Sequence, residues 1–321
     1  MNILISSAGQ RVSLVRAFKD QVAELCVNGK IYATDIAPEL SAACNVADKF
    51  FKVSRVNSNG YIDEMLDLCK TNDIRMIIPT IDTELLLLAA SRKTFQENGV
   101  EIIVSDLNFV KKCRDKRETN RFFEESGIET PAQVDKTNPT FPLFIKPFDG
   151  SLSYDTYLIR RKEELTEYHL MNDRLMFMEY INAEKYDEYT VDMYYGRDHR
   201  LKCLVPRKRI TVRAGEVNKG LTEKNRLIPY LKEKLAYING ALGCLTLQVF
   251  LEKTGDRVVG IEINPRFGGG YPLSYRAGAN YPQWLILEYL LDKELSYYEH
   301  WEGNLLMLRY DDEILVHDYQ A

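Results

Sequence analysis

Residues 249–270 read VFLEKTGDRVVGIEINPRFGGG: two apolar runs joined by a TGD turn, then a Pro-Arg pair and three glycines. Gln248 precedes the first run, and Glu262 and Asn264 lie two residues apart in the second. Side chains two apart on a strand share a face, so Glu262 and Asn264 project together, with Gln248 in reach across the hairpin. One carboxylate with two amides makes an all-oxygen cluster of the kind that holds Mg2+, an ion that keeps several positions for water and phosphate. A polar, solvated face of an antiparallel sheet accounts for the same spacing equally well.

Arg266 follows the cluster, in a turn running into residues 268–270. A guanidinium there is placed to clamp a phosphoryl group or an acyl phosphate. The glycines allow close backbone approach to an anion, although such runs are commonly plain loops. Further upstream, Lys146 ends the apolar strand of FPLFIKPF, where it can neutralise phosphates as a point charge or snorkel from a strand end. Lys116 opens a helix inside the charged run KKCRDKRETNR, a context that by itself reads as a solvated face. Glu179 ends the run LMFM, and Glu188 stands nine residues later before another strand, an arrangement suited to a flat base and ribose hydroxyls.

The first part of the chain alternates short apolar runs (NILISSA, KIYATD, RMIIPT, VEIIVSD) with helical patterns over about 11–25, 61–70 and 84–98. That alternation predicts a parallel sheet covered by helices on both faces. Its loops carry Ser7, Gln10, Arg11, Asp35, Thr80, Asp82 and Glu84 at the carboxyl ends of the strands, the usual place for a ligand. The stretch PTIDTEL is the best placed of them to face the site, while a helix N-cap by Asp82 or Thr83 explains its polarity as well. The single Gly9 of SSAGQR falls short of GxGxxG, which argues against a dinucleotide-binding domain and a dehydrogenase. Beyond residue 182 the strands lengthen and glycine turns join them, so the second half reads as antiparallel.

The 321 residues are 45% hydrophobic and 28% charged, with a formal net charge of -5. Two or three subdomains and small-molecule chemistry are expected, with neither nucleic acid nor membrane as partner. The six cysteines are scattered without CxxC pairs and read as core thiols; the four histidines never take metal-ligand spacing. The N-terminus lacks the pattern of a secretory leader, so a cytoplasmic protein is expected.

In order, DK, a strand ending KP, MEY followed by DEYTVD, then Q and ExNPR resemble the ATP-grasp superfamily, most nearly its carbamoyl-phosphate-synthase-like branch. The resemblance spans essentially the whole chain. It implies an α/β plus α+β architecture: a Rossmann-like pre-ATP-grasp domain (1–107), a small ATP-grasp lobe with its preceding helix (108–182) and a large antiparallel lobe with a C-terminal segment (183–321). By position it implies ATP-phosphate contacts from Lys116 and Lys146, and an adenine hinge at Glu179, Tyr180 and Ile181. Glu188 falls as the ribose acid, Gln248, Glu262 and Asn264 as ligands for Mg2+ (with Mn2+ as an alternative), and Arg266 beside the γ-phosphate. Arg207, in VPRKRITV with Arg209, falls where relatives present cations to the phosphates or the acceptor, which puts Arg207 with Arg266 and Lys146 in the catalytic set.

The activity so implied is an ATP- and Mg2+-dependent ligase joining a carboxylate to an amine or related nucleophile through an acyl phosphate. One departure is DGSLSYDT, with Leu152 and Asp155 where the family commonly has glycine. A stiffened loop and an added negative charge leave open a nucleotide-binding protein without ligase activity, regulatory or structural. Oligomeric state also stays open, with a homodimer among the options.

Overall fold

The N-terminal apolar runs become a parallel sheet in the computed structural model, which describes residues 1–150, 154–213 and 215–319. Strands β1 (Asn2–Ser6), β2 (Ile31–Asp35), β3 (Lys49–Lys52), β4 (Ile74–Pro79) and β5 (Glu101–Ile102) lie in the order β3-β2-β1-β4-β5, parallel throughout. Helices α1 (Val12–Glu24), α2 (Ala42–Val46), α3 (Tyr61–Thr71) and α4 (Asp82–Glu97) complete this unit. Ile3 and Ile5 of β1 pack with Leu14 and Phe18 of α1, whereas Leu4 packs with Met65 of α3 and Leu88 of α4. Both faces of the strand are therefore covered, which is why its sequence is a continuous apolar run. Neither α2 nor β3 was expected from the sequence, because elements of five and four residues are too short for periodicity to register.

Two helices follow, α5 (Leu107–Arg114) and α6 (Lys116–Glu125), separated by Asp115, whose side chain caps α6 by accepting from the Arg117 N–H at 2.9 Å. A small antiparallel sheet in the order β7-β6-β8 comes next, from β6 (Leu143–Pro147), β7 (Tyr157–Ile159) and β8 (Leu175–Glu179), with α7 (Glu167–Met171) between the last two. Leu143, Ile145, Ile159, Leu175 and Phe177 form its core on one face, so the period of two turns Lys146 to the other.

The largest sheet is antiparallel, in the order β13-β12-β9-β10-β11-β14. Its strands are β9 (Tyr186–Tyr195), β10 (Leu201–Arg213), β11 (Glu216–Thr222), β12 (Gly243–Glu252), β13 (Val258–Asn264) and the edge strand β14 (Leu306–Leu308). One face, with Val191, Met193, Leu245, Leu247 and Ile263, is sealed by Leu227 and Leu231 of α8 (Leu227–Lys234). At one end of the opposite face Tyr194, Cys203, Val205 and Cys244 pack on Tyr271 of α9 (Tyr271–Arg276), Tyr281 of α10 (Tyr281–Leu285) and Phe18 of α1. This cluster ties the parallel domain to the large sheet. Further along that face the apolar side chains give way to polar ones, and there the cleft opens.

Four cysteines are buried as expected of core thiols and Cys113 is half-buried, but Cys26 is exposed. It sits past the end of α1 with φ 52°, outside the amphipathic stripe that would have carried it inward. Among the described residues no helix is long and apolar enough to cross a membrane.

Candidate active site

Ladder register decides which side chains meet. Gln248 of β12 stands directly opposite Glu262 of β13, and Thr246 opposite Asn264. On the other flank Gln248 pairs with Thr190 of β9, which in turn pairs with Arg207 of β10. One polar row, Glu262, Gln248, Thr190 and Arg207, thus crosses four strands on a single face, and Asn264 lies beside it on the same face.

Within the row each nitrogen has a carboxylate to donate to. Asn264 Nδ2 donates to Glu262 Oε1 at 3.0 Å, and Gln248 Nε2 donates to Glu188 Oε1. Both amides therefore keep their carbonyl oxygens for another partner beside the Glu262 carboxylate. Three oxygens of this type suit a small hard cation and not a soft one. Among the described residues no cluster of three His, Cys, Asp or Glu side chains offers a rival metal site.

The lysines approach the same carboxylate from the small lobe. Lys146 is 6% exposed and Lys116 9%. Burial lowers the Lys146 pKa to about 8, Glu262 opposing the shift and Lys116 adding to it. Burial likewise lowers the pKa of Lys116, again opposed by Glu262. Lys116 is fixed at the start of α6, where its N–H donates to the Phe148 carbonyl at 2.7 Å and its Nζ donates to the Gly150 carbonyl. The solvated face suggested by its charged neighbours is thus corrected: the strand-end loop folds over it. Two buried ammonium groups lie near Glu262, and Asp149 and Asp82 also act on Lys116, so cations and carboxylates are gathered at one place.

Arg207 and Asp192 form a wholly buried pair. Nε donates to Oδ2 at 2.7 Å and Nη2 to Oδ1 at 3.0 Å, while Ser274 Oγ donates to Oδ2 at 2.6 Å. The fork orients the guanidinium so that Nη1, buried and without a hydrogen-bond partner among the described residues, is left at the cleft. The two-pronged match to Asp192 makes Arg207 more than a free cation for phosphate, the role the sequence had suggested for it.

Arg266 reaches across to the parallel domain, with Nε to Asp82 Oδ1 at 2.8 Å and Nη2 to Oδ2 at 2.5 Å. Thr246 Oγ1 donates to the Arg266 carbonyl at 2.9 Å and fixes the turn that aims the side chain. Asp82 is the first residue of α4 and caps nothing. Glu84 is the side chain that accepts from the Thr80 and Ile81 N–H groups. Of the loop residues noted from sequence, Ser7, Thr80 and Glu84 bond to one another inside the domain, whereas Asp82 and Arg11 turn outward. Burial holds the Glu84 carboxyl above the usual carboxylate range, against four hydrogen-bond donors.

Glu188 pairs with Arg209 at 3.0 Å, and burial raises its pKa despite that pair and Gln248. Glu179 lies elsewhere: its carboxylate is bound in two prongs by Arg257, at 2.7 and 2.9 Å, which holds its pKa below the ordinary value. Tyr180 and Ile181, expected with it to form a hinge, follow just past the last ladder pair, Leu143 with Glu179. Asp155 adopts φ 58° and accepts from the Tyr157 and Tyr168 hydroxyls at 2.7 and 2.8 Å. Its charge is thereby turned onto the small lobe. Leu152 lies outside the described residues.

Sequence reading missed Asp192, Ser274, Glu216 and Arg309. Asp192 alone left a trace, as a lone carboxylate in the apolar strand TVDMYY. The cleft built from these parts is bounded by Asp82, Lys116, Arg207, Gln248, Glu262 and residues 264–266 and 268–270.

A family model described as ATP-grasp in the biosynthetic pathway with Ter operon matches residues 171–310, and one for the PylC-like N-terminal domain matches 3–103. No curated protein matches the chain. Among solved structures, the biotin carboxylase domain of Hydrogenobacter thermophilus 2-oxoglutarate carboxylase, in complex with MgADP, ADP and bicarbonate, superposes with TM-score 0.72 at 14% identity, over 95% of this chain and 73% of that one. N5-carboxyaminoimidazole synthetase from Staphylococcus aureus gives 0.69 at 15% identity, over 92% and 78%. Biotin carboxylase from Campylobacter jejuni, in its β-γ-ATP complex, gives 0.71 at 13%, over 95% and 74%. Such identities speak to fold, and with the two family models they lead to one conclusion: the chain belongs to the ATP-grasp superfamily.

Proposed function

We propose that the protein is an ATP- and Mg2+-dependent ligase that joins a carboxylate to an amine or related nucleophile through an acyl phosphate. The observation that carries this reading is the convergence of Gln248, Glu262 and Asn264 on one face with two buried lysines beside them. A nucleotide tail suits that combination: Glu262 and the two amide oxygens would hold Mg2+, which neutralises phosphate charge, while Lys116 and Lys146 face the phosphates.

Attack by a substrate carboxylate oxygen on the γ-phosphorus of ATP forms the acyl C–O–P linkage and breaks the bond to the β-phosphate oxygen, leaving ADP. An amine then adds to the acyl carbon, inorganic phosphate departs and the amine loses a proton, giving an amide. Lys146 and Arg266 would spread the charge that develops on the transferred group. The base and ribose would lie toward the backbone at Tyr180 and Ile181 and toward Glu188. The fit to ATP of MgADP- and ATP-bound relatives of the same fold supports this placement.

Incubation with ATP, Mg2+ and pooled carboxylates and amines tests the reading. A ligase releases ADP in a substrate-dependent way, and a folded preparation with no affinity for Mg-ATP defeats the reading. With Asp155 turned onto Tyr157 and Tyr168, the charge that favoured a catalytically silent protein does not lie against the phosphates.

Lys146 makes the binding pH-dependent. Its charged form, the one a phosphate needs, is lost as pH rises through about 8, so Mg-ATP affinity is expected to fall above pH 8. Bound phosphate favours the ammonium form, so binding near pH 8 should take up a fraction of a proton. Calorimetry in two buffers of different ionisation enthalpy reads that uptake, and equal heats in both would contradict it.

A further inference from the structure

The strands β1 and β4 are neighbours, but the chain leaves β1 toward β2 and returns to β4 on the other side, so their carboxyl-end loops flank a crevice. Arg11 stands after β1 and Asp82 after β4; Asp82 lines the cleft together with Glu216 and residues 268–270, and Arg11 reaches Glu216. Charge is unevenly matched here. Asp82 is engaged in two prongs by Arg266, and Glu216 at the start of β11 pairs with Arg309 at 3.0 Å. Among the described residues Arg11 has as ion-pair partner only the far side of Glu216, at 3.6 Å, and its side chain is 21% exposed. Three arginines thus meet two carboxylates. Nearby, Arg207 presents the buried Nη1 that has no partner among the described residues.

Residues 269 and 270 show what lies between these groups. A Cβ on Gly269 would collide with the Glu216 carboxylate, and one on Gly270 with Arg207 Nη1. At Gly269 the obstacle is the movable end of the Glu216 side chain, whereas at Gly270 both Arg207 Nη1 and the Val217 side chain stand in the way. A carboxylate of the protein itself therefore rests on the glycine turn, touched on one flank by Arg11, and the next glycine along the turn abuts the orphaned N–H of Arg207.

We propose that this place is a docking site for an anionic group, carboxylate or phosphate, carried by the acceptor substrate, with Arg11 and Arg207 Nη1 as its donors and Glu216 as the occupant it displaces. The inference rests on the ligase reading for the word acceptor; the anion site itself does not depend on it. An incoming anion would satisfy the buried N–H, complete the charge balance of the three arginines and release Glu216 toward Arg309. It would also give the N-terminal domain a direct part in substrate choice, since Arg11 belongs to that domain.

The test is equilibrium binding on the full chain, with and without Mg-ATP, using glycine, glycinamide and inorganic phosphate as probes. Glycine binding with glycinamide silent marks a carboxylate site; phosphate binding more tightly than glycine marks a phosphate site. Arg11→Gln should weaken the bound probe about tenfold, and Glu216→Gln, by removing the competing charge, should tighten it severalfold. Opposite signs for two conservative variants distinguish a binding role from general damage to the fold. Arg11→Gln without effect, a weaker probe in Glu216→Gln, or no difference between glycine and glycinamide with phosphate silent would overturn the proposal. Probe binding that persists when Mg-ATP fails to bind would separate this site from the ligase reading.

Discussion

Glu262→Gln is expected to lower substrate-dependent ADP release by roughly 10²- to 10³-fold, the loss typical when one preorganised electrostatic group is removed from a reacting centre. The change is nearly isosteric, so the two-strand ladder with Gln248 should persist and the melting temperature should move little. What changes is charge, since Glu262 is the one carboxylate between two amides whose nitrogens already face carboxylates. A Gln at 262 presents its own Nε2 to that cluster and leaves it without negative charge for a cation. The Mg2+ requirement of nucleotide binding should therefore rise in concentration severalfold or more.

The same variant has a second signature. Glu262 is the group that holds the Lys146 pKa up against burial and Lys116. Without it, Lys146 should lose its proton at lower pH, and the fall in nucleotide affinity expected above pH 8 should begin earlier. A Glu262→Gln protein with normal turnover and an unmoved pH profile would remove the cluster from the reaction.

Local pattern served best where one principle governs. The parallel strands were legible because burial on both faces forces continuous apolar runs, and the Glu262 and Asn264 face because a strand has a period of two. The ordered motif supplied the lysines. Long-range partners were not legible: nothing near Arg207 in the sequence announces Asp192, fifteen positions earlier on the neighbouring strand, or Ser274 on a helix. Glu179 shows the same limit: its motif position suggested a nucleotide contact but gave no sign that Arg257, from the TGD hairpin, engages its carboxylate. Lys116 was obscured by its charged neighbours, because burial of its ammonium depends on a loop thirty residues on. Pairing of charges across the fold is a property of register and packing, which spacing along one strand does not encode.

That pairing sets the largest expected loss of stability. Asp192→Asn should cost about 3–5 kcal/mol, the usual penalty for breaking one side of a buried ion pair. Both carboxylate oxygens of Asp192 accept from Arg207, and one also accepts from Ser274. An amide replaces one acceptor with a donor, which then faces an N–H of the guanidinium, and the charge of Arg207 is left uncompensated among Cys244, Tyr271 and Tyr281. At roughly 2–4 °C per kcal/mol for a chain of this size, the midpoint should fall by on the order of 10 °C. A double variant, Asp192→Leu with Arg207→Met, removes both charges and should recover at least half of that loss, since apolar replacements of buried pairs are commonly near neutral. Nucleotide binding should survive in the double variant while substrate-dependent ADP release is lost, because Arg207 Nη1 faces the cleft from the end of the polar row opposite Glu262. Thermal melts of the single and double variants give the coupling, and a double variant no more stable than Asp192→Asn would show that the pair is not what holds this part of the sheet together.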